Sequence, residues 1–386
     1  MDWAAELFTM PLLAAAIARS PEGQPIRRDF GISQTSSGRS LEIVHRDLAH
    51  WPFCALSEFV GTLPGQNCLL LVTPLSGHFA SISREMVLGL VPTARVCVTD
   101  WLNARFVPAS AGDFGFDENI ETIVESIKLL GRGTHIVALC QGVVPALAAA
   151  AILSRDAPAL APRSLTLIGG PVDPLGNPTH IVEQLGKHTL SAIEAEALHS
   201  VGDGFPGAGR LVYPASNQLP LLLAYLYRHV LSGGELLQKV LSDDGLDPVR
   251  FPFFVLFTSL MDLSGKYFLE NIQKVFLERQ PWNGRLRWHG DLVDFGAVRE
   301  TALMTIEGED DDIAAPGQTS AAHRLCPNIP DGMRRRLIVS GAGHFSLFYG
   351  KVWREKILPE IVAFQHAHSI ALPCFMVAEH EALPLT

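Results

Sequence analysis

The sequence predicts an α/β fold: a mostly parallel sheet with helices on both faces and an inserted helical lid. Three observations carry this expectation. From about residue 68 to residue 170, short apolar runs alternate with helix-periodic segments, a pattern that calls for parallel strands joined by crossover helices. Between about residues 174 and 298 the alternation stops and Leu- and Phe-rich helical patterns crowd together, before Thr301-Ala302-Leu303-Met304-Thr305-Ile306 restarts it. The 386 residues are 48% hydrophobic and only 18% charged, enough apolar matter for a large core.

Composition narrows the function classes. A formal charge of −10 argues against nucleic acid, whose phosphates need clustered Lys and Arg. The six cysteines at 54, 68, 97, 140, 326 and 374 show no paired spacing and no C-x-x-C. They suit reduced thiols in a cytosol, and no metal site or cofactor is expected. The apolar run 10–18 follows Asp2 and Glu6 with no basic residue before it, unlike a secretion signal. It reads as a short amphipathic helix, and no stretch reaches the ~18 apolar residues of a membrane span.

In chain order, residues 1–30 form an N-terminal helical segment and edge strands occupy the stretch up to about residue 60. Cys68-Leu69-Leu70-Leu71-Val72 is a buried strand that ends in Thr73-Pro74-Leu75-Ser76-Gly77-His78, a loop at the strand's carboxyl end, where open α/β sheets bind ligands. A helix follows over 81–90, then the strand 95–101. The apolar spacing of Ile120, Ile123, Val124 and Ile127 predicts an amphipathic helix over 117–130. The segments 135–139 and 164–170 are further strands. The organisation is a core in two parts, 31–173 and 299–368, a lid over 174–298 with helices near 181–198, 219–241 and 267–278, and a tail over 369–386.

The stretch His135-Ile136-Val137-Ala138-Leu139-Cys140-Gln141-Gly142, continued by the small-residue run 143–153, reads as strand, sharp turn and helix. That is a nucleophile elbow in which the frame Ala138-x-Cys140-x-Gly142 stands where G-x-S-x-G is usual. A cysteine at a helix N-terminus has its attacking thiolate stabilised by the dipole. Past the restarted strand come Asp310, Asp311 and Asp312, and past the last strand, 336–339, comes Gly343-His344. The order nucleophile, acid, histidine is that of the α/β-hydrolase fold. The frame Gly308-x-x-Asp311 selects Asp311 to orient His344, with Cys140 as nucleophile. The backbone N–H of Gln141 is the natural oxyanion donor, with a second from Leu75 or Ser76. His78, Phe253 and Phe254 are candidates for substrate binding, the last two as part of an apolar lid over the site.

With these pieces placed, the chain resembles the intracellular poly(3-hydroxybutyrate) depolymerases, α/β-hydrolases with a cysteine nucleophile. The similarity spans about residues 31–368. It rests on Thr73-Pro74-Leu75-Ser76-Gly77-His78, Thr99-Asp100-Trp101, Ala111-Gly112-Asp113-Phe114, Cys140-Gln141, Gly169-Gly170-Pro171-Val172-Asp173, 301–309, Gly317-Gln318-Thr319 and Gly343-His344. It departs at Gly142, where the family often has Pro. The resemblance implies Cys140, Asp311 and His344 as the triad. It also implies hydrolysis of the polymer through an acyl-enzyme thioester, with release of 3-hydroxybutyrate monomers or oligomers. The expected partner is a polyester granule or an oligomeric 3-hydroxyalkanoate, the expected place the cytoplasm or a granule surface, and a homo-oligomer stays open. The alternatives are a polyhydroxyalkanoate synthase-like acyltransferase, which uses the same triad on the same fold, and a non-catalytic granule-binding protein.

Overall fold

The protein is described here from a computed structural model covering residues 25–32, 43–61 and 67–369. Almost all of the N-terminal helical segment and of the tail lies outside the described residues. The body is built on eight strands: β1 (Val44–Trp51), β2 (Cys54–Val60), β3 (Asn67–Val72), β4 (Ala94–Trp101), β5 (His135–Leu139), β6 (Ser164–Ile168), β7 (Ala302–Gly308) and β8 (Arg334–Val339). Their spatial order is β1-β2-β4-β3-β5-β6-β7-β8. The first two pairings, β1 with β2 and β2 with β4, are antiparallel, and every later pairing is parallel. This is the α/β-hydrolase fold.

The central strands form because their sequences tolerate burial on both faces. Strands β5, β6 and β7 have every residue buried, as parallel strands under two helical layers must. One helical layer contains α1 (Arg84–Leu90); the other contains α2 (Phe116–Leu130) and α3 (Val143–Asp156). Helix α2 starts one residue before the expected point, where the Glu118 carboxylate accepts the Gly115 N–H at 2.6 Å and complements the positive helix end. Residues 143–153 of α3 are all buried, which explains why this helix carries small and apolar residues on every side. Strand β8 begins at Arg334, two residues before the expected start at 336. That guanidinium is held by the carbonyls of His323, Cys326 and Ile329 at 2.7–2.8 Å, so a charge can open an edge strand.

Between β6 and β7 the chain leaves the sheet. It forms α4 (His180–Leu185), α5 (Leu190–Ala197), α6 (Ala215–Ser232), α7 (Glu235–Leu241), α8 (Phe253–Phe257) and α9 (Gly265–Asn271). A small sheet of His199–Ser200, Leu211–Tyr213 and Leu263–Ser264, with a hairpin Arg287–Trp288/Asp291–Leu292, ties these helices together. Strands of two or three residues leave no periodicity to read, which is why the sequence pointed to helices alone. The chain closes with α10 (Leu358–Ala367). No helix among the described residues is long and apolar enough to cross a membrane.

Candidate active site

Three loops meet at the carboxyl ends of β5, β7 and β8. Directly after β5 the chain turns through Cys140-Gln141-Gly142 into α3, with Cys140 at φ 47°. Positive φ is uncommon outside glycine and costs on the order of 1–3 kcal/mol. Here the turn lifts the Cys140 side chain off the end of the sheet, and Cys140 and Gln141 are only half-buried between the fully covered Leu139 and Gly142.

After β7, the Asp311 side chain is closed off from solvent. Its Oδ1 accepts the N–H groups of Ile313 at 2.9 Å and Ala314 at 2.8 Å, and its Oδ2 accepts Nδ1–H of His344 at 2.8 Å. The Asp311 carboxylate is therefore fixed in rotation, and it fixes the histidine with Nδ1 protonated. The other ring nitrogen is left free of Asp311, and Cys140 and His344 line the same cavity. Burial by itself would favour the neutral imidazole. The negative charge of Asp311, the nearby Cys140 and the hydrogen bond to Asp311 outweigh it and raise the His344 pKa well above its ordinary value.

The neighbouring acids are placed differently. Asp310 is exposed. Asp312 turns to α6, where it accepts Tyr225 Oη–H at 2.5 Å and faces Arg228 at 3.1 Å and His229 at 3.3 Å.

Above these residues lies a cavity of about 680 Å³, within the usual ~300–1,000 Å³ range of ligand sites. Cys140, Gln141, His344, Ser76 and His78 line it from the sheet side. Ile181 and Leu185 of α4 and Leu221, Leu222 and Tyr225 of α6 line it from the other. Leu75 turns its side chain into the core instead, so it can offer the site its backbone alone. His78 Nε2 lies 2.8 Å from the carbonyl oxygen of Phe257, which makes it the protonated nitrogen. Burial and the nearby His344 push its pKa down to about 4, although the bond to Phe257 works the other way, so the ring is neutral at neutral pH.

Phe253 and Phe254 are not brought to the cavity. Phe253 is fully buried and its ring packs on Phe257, Phe345 and Tyr349 at 4.9–5.7 Å, while Phe254 packs against the same core cluster. The run 251–254 is apolar because α8 is a wedge between the lid and the last loop. Leucines of α6 occupy the place expected for these phenylalanines.

Several motif residues fasten the loops around Cys140, Asp311 and His344. Glu307 Oε1 accepts the N–H groups of Gly317, Thr319 and Ser320 at 2.8–2.9 Å, pinning the loop that follows Asp311. Thr319 Oγ1 in turn bonds both the N–H and the carbonyl of Gly170. Thr99 Oγ1 accepts the Thr73 N–H, and Trp101 Nε1–H donates to the Thr73 carbonyl, both at 3.0 Å, which holds the start of the 73–78 loop. Side chains that serve by fastening backbone give no chemical signature in a sequence, so their roles became readable only in the fold.

The Gly169-Gly170 pair is required by contact. A Cβ on Gly169, at φ +54°, would lie 3.3 Å from the His344 ring and 3.4 Å from Asp311 Oδ2. On Gly170 it would lie 2.3 Å from Val143 Cβ and 2.6 Å from the Cys140 carbonyl oxygen. Gly170→Ala is therefore expected to destabilise the fold by about 1–3 kcal/mol and to shift the elbow. Chemical denaturation and ester turnover measured together would check this, and wild-type values in both would contradict the packing argument.

Comparison with known proteins follows the same lines. The family model described as PHB de-polymerase C-terminus matches residues 169–369, just over half of the chain, a stretch that includes Asp311 and His344 and begins after Cys140. No curated protein sequence matches. Among solved structures, a hypothetical protein from Pseudomonas aeruginosa aligns at 13% identity with a TM-score of 0.51, over 89% of this chain and 99% of the other. A thermophilic esterase from Thermogutta terrifontis aligns at 15% identity and a TM-score of 0.44, over 85% and 100%. A monoacylglycerol lipase from Paleococcus ferrophilus aligns at 15% identity and a TM-score of 0.47, over 82% and 99%.

Proposed function

Because this chain belongs to the family of PHB depolymerases and is thereby a hydrolase of carboxylic ester bonds, we propose that it cleaves poly(3-hydroxybutyrate), or a related short-chain polyhydroxyalkanoate, through Cys140, His344 and Asp311. The observation that carries the reading is that Cys140 and His344 meet at the floor of one apolar cavity while Asp311 accepts a hydrogen bond from His344 behind them.

His344 takes the Cys140 thiol proton as Sγ attacks the ester carbonyl carbon, forming a C–S bond as the carbonyl π electrons move to oxygen. The backbone N–H of Gln141 and one from the Leu75-Ser76 loop serve that oxygen. Collapse breaks the C–O bond, and the departing alkoxide takes the proton from His344, leaving a thioester on Cys140. Water then attacks the thioester with His344 as base, and the acid leaves as Cys140 is restored.

A polyester of short hydroxyacids offers carbonyls, alkyl groups and almost no charge. The leucines and isoleucines of α4 and α6 match it, and Leu221 and Leu231 stand 64% and 67% exposed on α6, apolar groups that a granule surface would cover. The site would then work where the polymer is stored, at the granule in the cytoplasm.

The test is incubation with amorphous poly(3-hydroxybutyrate) particles and identification of soluble products by mass. Release of 3-hydroxybutyrate and its short oligomers is expected. Turnover of short soluble esters with none from polymer would make the protein a general esterase, and polymer growth from a hydroxyacyl thioester would make it a synthase.

A further inference from the structure

One residue of the cavity wall does not suit a neutral polymer. Arg228, on α6, lines the cavity, and among the described residues no Asp, Glu or Lys does. It is therefore the lining side chain that stays charged at every working pH.

Its neighbours hold it in place. Nη2–H donates to Asp312 Oδ2 at 3.1 Å, and the guanidinium carbon stands 5.2 Å from the centre of the Tyr225 ring. Asp312 does not itself line the cavity, so it fixes the guanidinium from behind. Arg228 makes no other hydrogen bond among the described residues, which leaves Nε and Nη1 as donors for a ligand in the cavity.

The chain fixes where this charge stands relative to the chemistry. Asp312 follows Asp311, whose Oδ2 accepts Nδ1–H of His344 at 2.8 Å, so Arg228 is held on the histidine side of the site. His344 protonates the departing alkoxide, and the leaving unit lies on that side as well. When that unit is the last of a chain, it carries a carboxylate a few bonds from its alkoxide oxygen. The carboxylate is the one charge that such a polyester has, and a forked guanidinium is suited to bind it.

We propose that Arg228 forms a carboxylate subsite: it binds the acid terminus of the chain, so that the ester cut first is the last one at that end and the product is a monomer. This rests on the ester-hydrolase reading above and adds the end from which a chain is consumed. The carboxylate stays ionised throughout, and the proton still passes from His344 to the alkoxide as the C–O bond breaks.

The test uses a linear 3-hydroxybutyrate tetramer deuterated in its acid-terminal unit, offered as the free acid or as the neutral methylamide. With the wild type, the first monomer released from the acid should carry the deuterium. Its kcat/KM should exceed that of the methylamide by ~10-fold or more, with the difference in KM. Arg228→Gln should bring the acid-to-amide ratio to about one and spread the label over longer products. Arg228→Lys should keep part of the preference, since it retains the charge and loses the fork. Each ratio is taken within one variant, so a general loss of stability cancels from it.

Equal kcat/KM for acid and amide in the wild type would overturn the subsite and leave ester hydrolysis standing. So would an unlabelled first monomer, or a preference that survives in Arg228→Gln. A wild-type protein that cleaved neither tetramer would overturn the hydrolase reading itself, and the subsite with it.

Discussion

Cys140→Ala is expected to lower ester hydrolysis by a factor on the order of 10⁴ or more while leaving the melting temperature within a few degrees of wild type. The activity loss follows from position. Cys140 is the half-buried side chain at the end of β5 that opens onto the cavity beside His344. The other cysteines among the described residues cannot substitute for it, since Cys54, Cys97 and Cys326 are buried in the core and Cys68 lies at the opposite end of the sheet, on the first turn of β3.

The stability half of the expectation follows from the backbone. Alanine keeps the strain of φ 47° and removes one sulfur atom from a site that is already partly open, so little packing is lost. Cys140→Gly should be equally inactive but relieve the strain, and a gain of about 1 kcal/mol over the alanine variant in denaturant unfolding is expected. Cys140→Ser should retain a trace of activity, because a hydroxyl must be fully deprotonated by His344 whereas a thiol is partly ionised beforehand. Wild-type turnover in the alanine variant would remove Cys140 from the mechanism. A glycine variant less stable than alanine would show that the elbow stores no strain.

The elements that were legible in the sequence are those whose burial writes a pattern. Strands β3, β5, β6 and β7 are covered on both faces and read as unbroken apolar runs, and α2 reads from one buried stripe. The carboxyl ends of two such strands, β5 and β7, and of the edge strand β8 were enough to single out Cys140, Asp311 and His344, which the fold brings together. Phe253 and Phe254 went astray because an apolar run says that a segment is covered and not by what. The leucines of α6 that do face the cavity look no different in sequence from core leucines.

The second large effect is expected for Asp311→Asn, and its cause can be followed atom by atom. In the wild-type protein Oδ1 accepts two N–H groups, from Ile313 and Ala314, and Oδ2 accepts Nδ1–H of His344. An asparagine must keep its oxygen at the first position, since an amide NH₂ there would face two donors. Its NH₂ then points at His344 Nδ1 and turns that nitrogen into an acceptor, which moves the ring proton to the nitrogen facing Cys140. A histidine protonated there cannot take the thiol proton, and turnover should fall by ~10²–10⁴. The fold should survive, because both loop N–H groups stay satisfied.

Asp310→Asn, at an exposed side chain, should leave the rate unchanged. Asp312→Asn removes charge from a cluster with Tyr225, Arg228 and His229 on α6, a half-exposed set whose ion pairs are worth ~0–1 kcal/mol. Its effect should be less than about tenfold and should appear first in KM, since Tyr225 and Arg228 line the cavity. The three variants are best compared by kcat on one soluble ester, with the proton on the His344 ring located by nitrogen NMR. If Asp312→Asn proves the severe one, or if Asp311→Asn leaves the tautomer of His344 unchanged, Asp311 does not orient the base.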